Sequence, residues 1–206
     1  MSARPRPLRV ALTGGIATGK SYCLQQLLAL GAPVVDADAL AHAAIAPGSP
    51  GAAEVAAAFG TIERRTLGAI VFDDPEARRA LERIIHPRVY QGIEDFFRGL
   101  KASAPFGIAD IPLLFETGRE RDFDRVIMTS CRPEQQVARL HDRGLSLKDA
   151  EARISAQLPL DDKLKRAQAA GIPVDLIDTS GPMEETDRQV RRIIDVLGSL
   201  PPRVCS

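Results

Sequence analysis

Gly14-Gly15-Ile16-Ala17-Thr18-Gly19-Lys20-Ser21 is where this chain concentrates its chemistry. The run fits the pattern G-x-x-x-x-G-K-[ST]. The glycines allow a backbone tight enough to turn successive N–H groups toward phosphate oxygens. A helix starting at Lys20 adds the positive end of its dipole to the same anion. Lys20 can reach the β- and γ-phosphates, and the Ser21 hydroxyl is a ligand for Mg²⁺. A glycine-rich turn could match by chance, but here an apolar strand, Leu8–Leu12, precedes it and a helical pattern follows. The whole loop, Gly14 to Ser21, reads as a nucleoside triphosphate site. Farther on, Val34-Val35-Asp36-Ala37-Asp38 places two carboxylates at the end of a strand, where α/β sheets gather their ligands. One can serve as the base for an attacking hydroxyl. The alternative is an aspartate that N-caps the next helix.

The elements that must hold these residues alternate strand and helix, which implies a parallel sheet covered on both faces. Strands are expected at 9–13, 33–36, 106–111, 125–129 and 174–178. Helices are expected at 20–30, 133–143, 147–156, 159–169 and 183–197. Between residues 38 and 101 five helical stretches follow one another (39–46, 50–59, 63–70, 74–85 and 87–101), too much for one crossover. They read as a helical insertion at the ligand edge of the sheet. The segments 1–7 and 200–206 read as disordered tails.

Composition removes several classes of function. Lys plus Arg equals Asp plus Glu at 27 each, so bulk charge suggests neither a nucleic-acid nor a membrane partner. No apolar run approaches the roughly 18 residues of a membrane span, and the first residues lack the apolar stretch of a signal peptide. Cys23, Cys131 and Cys205 are scattered without metal or disulfide spacing, so a reducing cytoplasm is the expected location. Cys23 is expected to pack in the first helix and Cys205 to lie in the tail. The chain contains no asparagine, which rules out an Asn-Lys-x-Asp guanine-reading motif. What remains favours a small-molecule kinase with an arginine-bearing lid.

Beyond the loop, the ordered segments are specific. They include Asp36-Ala37-Asp38, Pro47-Gly48, Arg64-x-x-Leu67-Gly68, Val71-Phe72 and Leu81-Glu82-x-Ile84-x-His86-Pro87. They continue with Pro112-Leu113-Leu114-Phe115-Glu116, Gln136-x-x-Arg139-x-x-x-Arg143, Arg153-Ile154-x-x-Gln157 and Val174-x-x-Ile177-Asp178. In this order, from about residue 8 to 197, the chain resembles the dephospho-coenzyme A kinase family. The resemblance implies an α/β P-loop kinase core (8–38 and 104–199) with a five-stranded parallel sheet flanked by helices. It also implies a helical coenzyme A-binding insertion (39–103) and a small lid (139–165). The implied reaction is transfer of the ATP γ-phosphoryl to the 3′-hydroxyl of dephospho-coenzyme A, the last step of coenzyme A synthesis, with ATP and Mg²⁺ as cofactors.

By the same resemblance Asp38 is the base, with Asp36 beside it, and Lys20 and Arg143 complete the catalytic set. Arg139 joins the nucleotide site, where lid cations offset charge on the transferred phosphoryl. The alternative for both arginines is a solvated helix face. Arg64 is a partner for a substrate phosphate or a surface cation. His86 orients or caps the helix after it, or touches substrate. Pro112, Leu113, Phe115 and Glu116 line the substrate cleft, with core packing as the alternative for Leu113 and Phe115. Three departures stand out. Ala17-Thr18 replace the family's usual glycine-serine, and an alanine there requires a backbone without positive φ. The loop after Gly60 is short. Asp178-Thr179 replaces the usual Asp-Asn, leaving adenine contact to backbone groups or to Thr179. Two rivals remain: a kinase of the same fold with another acceptor, and a nucleotide-dependent switch. Oligomeric state is not readable.

Overall fold

Short apolar runs with β-branched residues form the central strands because both of their faces are buried. The computed structural model describes residues 5–101, 103–201 and 203–204. Its main sheet contains β2 (Leu8–Gly14), β3 (Val34–Asp36), β4 (Phe106–Asp110), β5 (Arg125–Ser130) and β6 (Val174–Asp178). They lie parallel in the order β3-β4-β2-β5-β6. The register sets Leu12 opposite Asp110 on one side and Gly14 opposite Thr129 on the other. The loop after β2 therefore leaves the sheet at its centre, flanked by the ends of β4 and β5.

Two compact units share the chain: Asp36–Gly99 in one, the segments before and after it in the other. In the sheet-containing unit, Val10, Leu12, Ile108, Ile127 and Ile177 are fully buried. They pack with Cys23 and Leu27 of α1 (Lys20–Ala29) and with Val190 and Leu197 of α9 (Met183–Ser199). Burial pushes the Cys23 thiol up to about 11, so this cysteine packs as a small hydrophobe. Cys205 lies outside the described residues. Among those residues no helix is long and apolar enough to cross a membrane.

The other unit is all helix: α2 (Ala37–Ala44), α3 (Pro50–Phe59), α4 (Arg64–Asp73) and α5 (Pro75–Gly99). Each of the first three starts at a side-chain cap, from Asp36, Ser49 and Glu63 respectively. All three pack on α5. A β-carbon on Gly92 would come within 2.8 Å of Leu40, which shows how closely α2 and α5 approach. The two helices expected at 74–85 and 87–101 are one. Pro87 sits inside α5 without ending it, and the Arg88 guanidinium donates to the Ile84 carbonyl in that turn. The packing of α2, α3 and α4 along α5 favours the continuous helix over a break at the proline. The short link after Gly60 is residues 61–63, with Gly60 itself at φ 71° closing α3.

The ends also depart from expectation. Pro5–Arg6 (β1) pairs antiparallel with Arg203–Val204 (β7), so parts of both supposed tails are ordered. Asp124 holds this ribbon down. It accepts from both Arg6 guanidinium nitrogens (2.6 and 2.9 Å) and from the Arg9 N–H (2.8 Å), with Arg203 at 3.8 Å. Burial opposes ionisation of Asp124, but these donors outweigh it and keep the carboxyl below the usual aspartate range. A depressed carboxylate contributes stability above its ordinary titration range and loses it as the pH falls below that range. Asp124→Asn should thus cost about 1.5–3 kcal/mol at neutral pH, the scale of hydrogen bonds to a charged group. Thermal melts should show the gap between variant and parent closing on acidification below the usual aspartate range.

Candidate nucleotide site

A strand ending in a loop of small residues, followed directly by a helix, leaves several backbone donors without intrahelical partners. The loop here spans Gly14 to Gly19, and α1 begins at Lys20 with Gly19 at its N-cap in the left-handed region, φ 86°. No side chain caps this helix end. The five carbonyls from Gly15 to Gly19 are taken up by the protein's own donors. Gly15 O accepts from the Thr18 hydroxyl at 2.7 Å, and Ile16 O from the Gln136 amide at 2.6 Å. Ala17 O accepts from Arg139 at 3.2 Å, Thr18 O from the Thr179 hydroxyl at 2.8 Å, and Gly19 O from the Tyr22 and Cys23 N–H groups. No described hydrogen bond uses the N–H groups of Ala17, Gly19, Lys20 or Ser21. Such a set of free donors at a helix N-terminus is suited to an anion.

The loop borders a cleft of about 450 Å³ whose wall also includes Pro112, Arg139, Arg143, Gln157, Gly181 and Met183. Lys20 does not extend freely into it. Its ammonium meets both Asp110 oxygens at 2.6 Å, and the carboxylate is almost fully buried. Ser21, in the first turn of α1, is exposed on the cleft wall. Among the described residues no group of three or more His, Cys, Asp or Glu side chains could hold a metal. The Ser21 hydroxyl on the cleft wall nonetheless fits Mg²⁺, which keeps most of its waters and binds mainly through substrate phosphates.

The remaining residues singled out from sequence divide clearly. Arg139 is fixed by the Ala17 carbonyl, the Thr179 hydroxyl (3.0 Å) and the Thr179 carbonyl (2.7 Å). Arg143 follows α6 (Pro133–Asp142), exposed and on the cleft. Thr179 is 6 % exposed and its hydroxyl buttresses the loop from behind, so that hydroxyl is not available to adenine. A β-carbon on Gly19 would stand 3.0 Å from it. Phe115 is completely buried and packs in the core in place of the expected substrate contact. Leu113 is exposed and Pro112 lines the cleft. Glu116 accepts from the Leu158 N–H at 3.1 Å and pairs at 3.0 Å with Lys163, itself 2 % exposed. Its carboxylate anchors the chain leading into α8 (Leu160–Ala169).

In the helical unit, Asp36 is the cap of the two carboxylates: its Oδ1 accepts from the Asp38 and Ala39 N–H groups at 2.8 and 3.2 Å. Asp38 is exposed in the first turn of α2. Arg64 is exposed at the start of α4. His86 lies half-buried within α5, its ring 5.7 Å from that of Tyr90, so it caps no helix. Missing from the sequence-derived site residues were Gln136 and Gln157, although each stood in a quoted segment. No spacing rule assigns a lone glutamine to a loop more than a hundred residues away.

A parallel sheet whose central strand runs into this loop, with Lys20 and Ser21 opening the next helix and an arginine-bearing helix pair over the cleft, defines a P-loop kinase. The comparisons narrow the class. The dephospho-CoA kinase family model matches residues 8–171. The dephospho-CoA kinase of Anaeromyxobacter dehalogenans is 46% identical over 178 residues, 80% of this chain and 84% of that protein. Among solved structures, TT1252 from Thermus thermophilus has a TM-score of 0.78 at 33% identity, covering 93% of this chain and 98% of that one. The dephospho-CoA kinase from Campylobacter jejuni has a TM-score of 0.67 at 26% identity, with 92% and 96% covered. This chain belongs to the dephospho-CoA kinase family.

Ala17 corrects the expectation that its position avoids positive φ. At φ 59° it is the one described non-glycine residue in the left-handed region. That conformation costs an L-residue about 1–2 kcal/mol. Against it stand the burial of its methyl with Leu140 and Ala150, worth about 0.8 kcal/mol, and the roughly 0.5–1 kcal/mol by which glycine loosens the unfolded chain. These nearly cancel. Ala17→Gly should leave the unfolding free energy within about 1 kcal/mol of the parent. Ala17→Val, with a β-branched residue at positive φ, should lose more than about 2 kcal/mol in denaturant titration.

Proposed function

We propose that this chain transfers the γ-phosphoryl of ATP to the 3′-hydroxyl of dephospho-coenzyme A, giving coenzyme A and ADP, the final step of coenzyme A synthesis. The observation that carries this reading is the family match over residues 8–171, in which the nucleotide loop holds free N–H groups beside Lys20. We place the protein in the cytoplasm, in keeping with its free Cys23 and Cys131.

The loop N–H groups and the start of α1 bind the β,γ-phosphates. Lys20 moves its ammonium from Asp110 to the phosphate oxygens, and the Ser21 hydroxyl would hold the metal. Mg²⁺ would supply charge neutralisation at the phosphates during transfer. Asp38 orients the 3′-hydroxyl and takes its proton. Asp36 is spent on its cap, whereas Asp38 is exposed and makes no described hydrogen bond through its carboxylate. Residues 139–165 act as the lid, where Arg143 supplies a cation to the transferred group and Arg139 stays with the loop. Residues 39–103 bind coenzyme A, with Arg64 meeting a substrate phosphate and His86 and Leu113 bordering the acceptor.

ADP release from Mg-ATP should depend on added dephospho-coenzyme A, and the product should gain the mass of one phosphoryl group. Activity only with another acceptor would discard the substrate, and acceptor-independent release would discard the kinase reading. Lys20→Ala should reduce turnover by at least about 100-fold, with weaker ATP binding, as loss of a transition-state contact does. Asp38→Asn should lower kcat by about 10²–10³-fold, a general base's share, and leave ATP affinity nearly unchanged in equilibrium titration.

A further inference from the structure

In a trans peptide the C=O and the following N–H point in opposite directions. Whatever holds a loop carbonyl on one side therefore aims the next residue's N–H to the other. The Gln136 amide donates to Ile16 O at 2.6 Å, and Gln157 Oε1 accepts from Ile16 N–H at 2.7 Å. These two glutamines grip the peptide units on either side of the Ile16 α-carbon. Gln136 comes from α6, and Gln157 from just beyond α7 (Leu147–Ser155). Both are half-buried.

We infer that Gln136 and Gln157 are positioning residues for nucleotide binding: together they fix the Ile16 backbone so that the Ala17 N–H is presented to a phosphate. Three observations support this. The Ala17 N–H is among the free loop donors, and its orientation is set by the carbonyl that Gln136 holds. Ala17 occupies the left-handed region without being glycine, so an outside restraint is needed to keep that conformation favoured. Gln157 is itself tied to a firm base, since Glu116 holds the neighbouring Leu158 N–H and the buried Lys163. The loop conformation is thereby coupled to the segment that carries Arg143. A glutamine suits both places because its carboxamide carries a donor and an acceptor, and the two positions use opposite ends of it.

That opposition supplies the test. Glutamate keeps the acceptor and loses the donor, so it should fail at 136 and succeed at 157. In nucleotide-free protein, amide exchange at Ile16 should be slow in the parent and in Gln157→Glu, and at least about tenfold faster in Gln157→Ala. Titration with Mg-ATP should show affinity roughly five- to tenfold weaker for Gln136→Glu, the scale of one hydrogen bond. Dephospho-coenzyme A KM should stay within twofold. Gln136→Met, similar in length but without a donor, serves if the carboxylate variant does not fold, and should show the same loss. Equal exchange at Ile16 in the parent and in Gln157→Ala overturns the inference. So does Mg-ATP affinity within twofold of the parent for Gln136→Met, or an equal loss of ATP and acceptor binding. The inference rests on the ATP reading above. A parent protein that fails to bind Mg-ATP sinks that reading, while the exchange arm still reports on the grip itself.

Discussion

Everything at this site depends on one electrostatic constraint: a loop that is to receive polyanionic phosphate must keep its carbonyl oxygens occupied elsewhere. An unpaired carbonyl facing a phosphate would repel it, and an unpaired carbonyl buried beneath the loop would cost a hydrogen bond. Thr18, Gln136, Arg139 and Thr179 resolve both problems by donating to the successive carbonyls of Gly15, Ile16, Ala17 and Thr18. The sheet order follows the same need. With β2 central, the ends of β4 and β5 bring Asp110 to Lys20 and Thr129 to Thr18. Thr179 arrives from the end of β6, anchored through its N–H to Ser130.

The fold was largely readable because buried parallel strands and capped helices carry strong local signals. The strand at Val174–Asp178 and the helix at Pro50–Phe59 have their sequence-derived limits. Pro87 misled because its cost in a helix interior is local, while the packing along α5 that favours a continuous helix is not. Ala17 misled for the same reason. Positive φ at a non-glycine residue is refused by local sterics and accepted only where surrounding contacts over-determine it. The roles of Asp36, Phe115 and Glu116 turned on contacts with residues at varied distances along the chain. Residue type made each a candidate for the site but did not show which atom it would meet. For Glu116, only the fold brings Lys163 and Leu158 to its carboxylate.

The region from Gln136 to Lys163 is coupled to the loop by more than its arginines. Ala17, Leu140 and Ala150 are buried together, with Ile16, Leu145 and Ile154 packed around them. An apolar patch and several polar contacts thus join the same few residues. Such contacts are short-ranged, so a small displacement of α6 or α7 is felt directly in the loop backbone.

The ion pair between Lys20 and Asp110 bears on nucleotide exchange. On the mechanism proposed above, nucleotide draws the ammonium away from a carboxylate that already satisfies it, so the net affinity is the difference between two attachments rather than the full attraction of lysine for phosphate. In return, when ADP departs the ammonium has a partner waiting and is not left as a lone, half-buried charge. The site exchanges one anion for another in both directions. The nucleotide-free site is thereby a satisfied state, which favours product release.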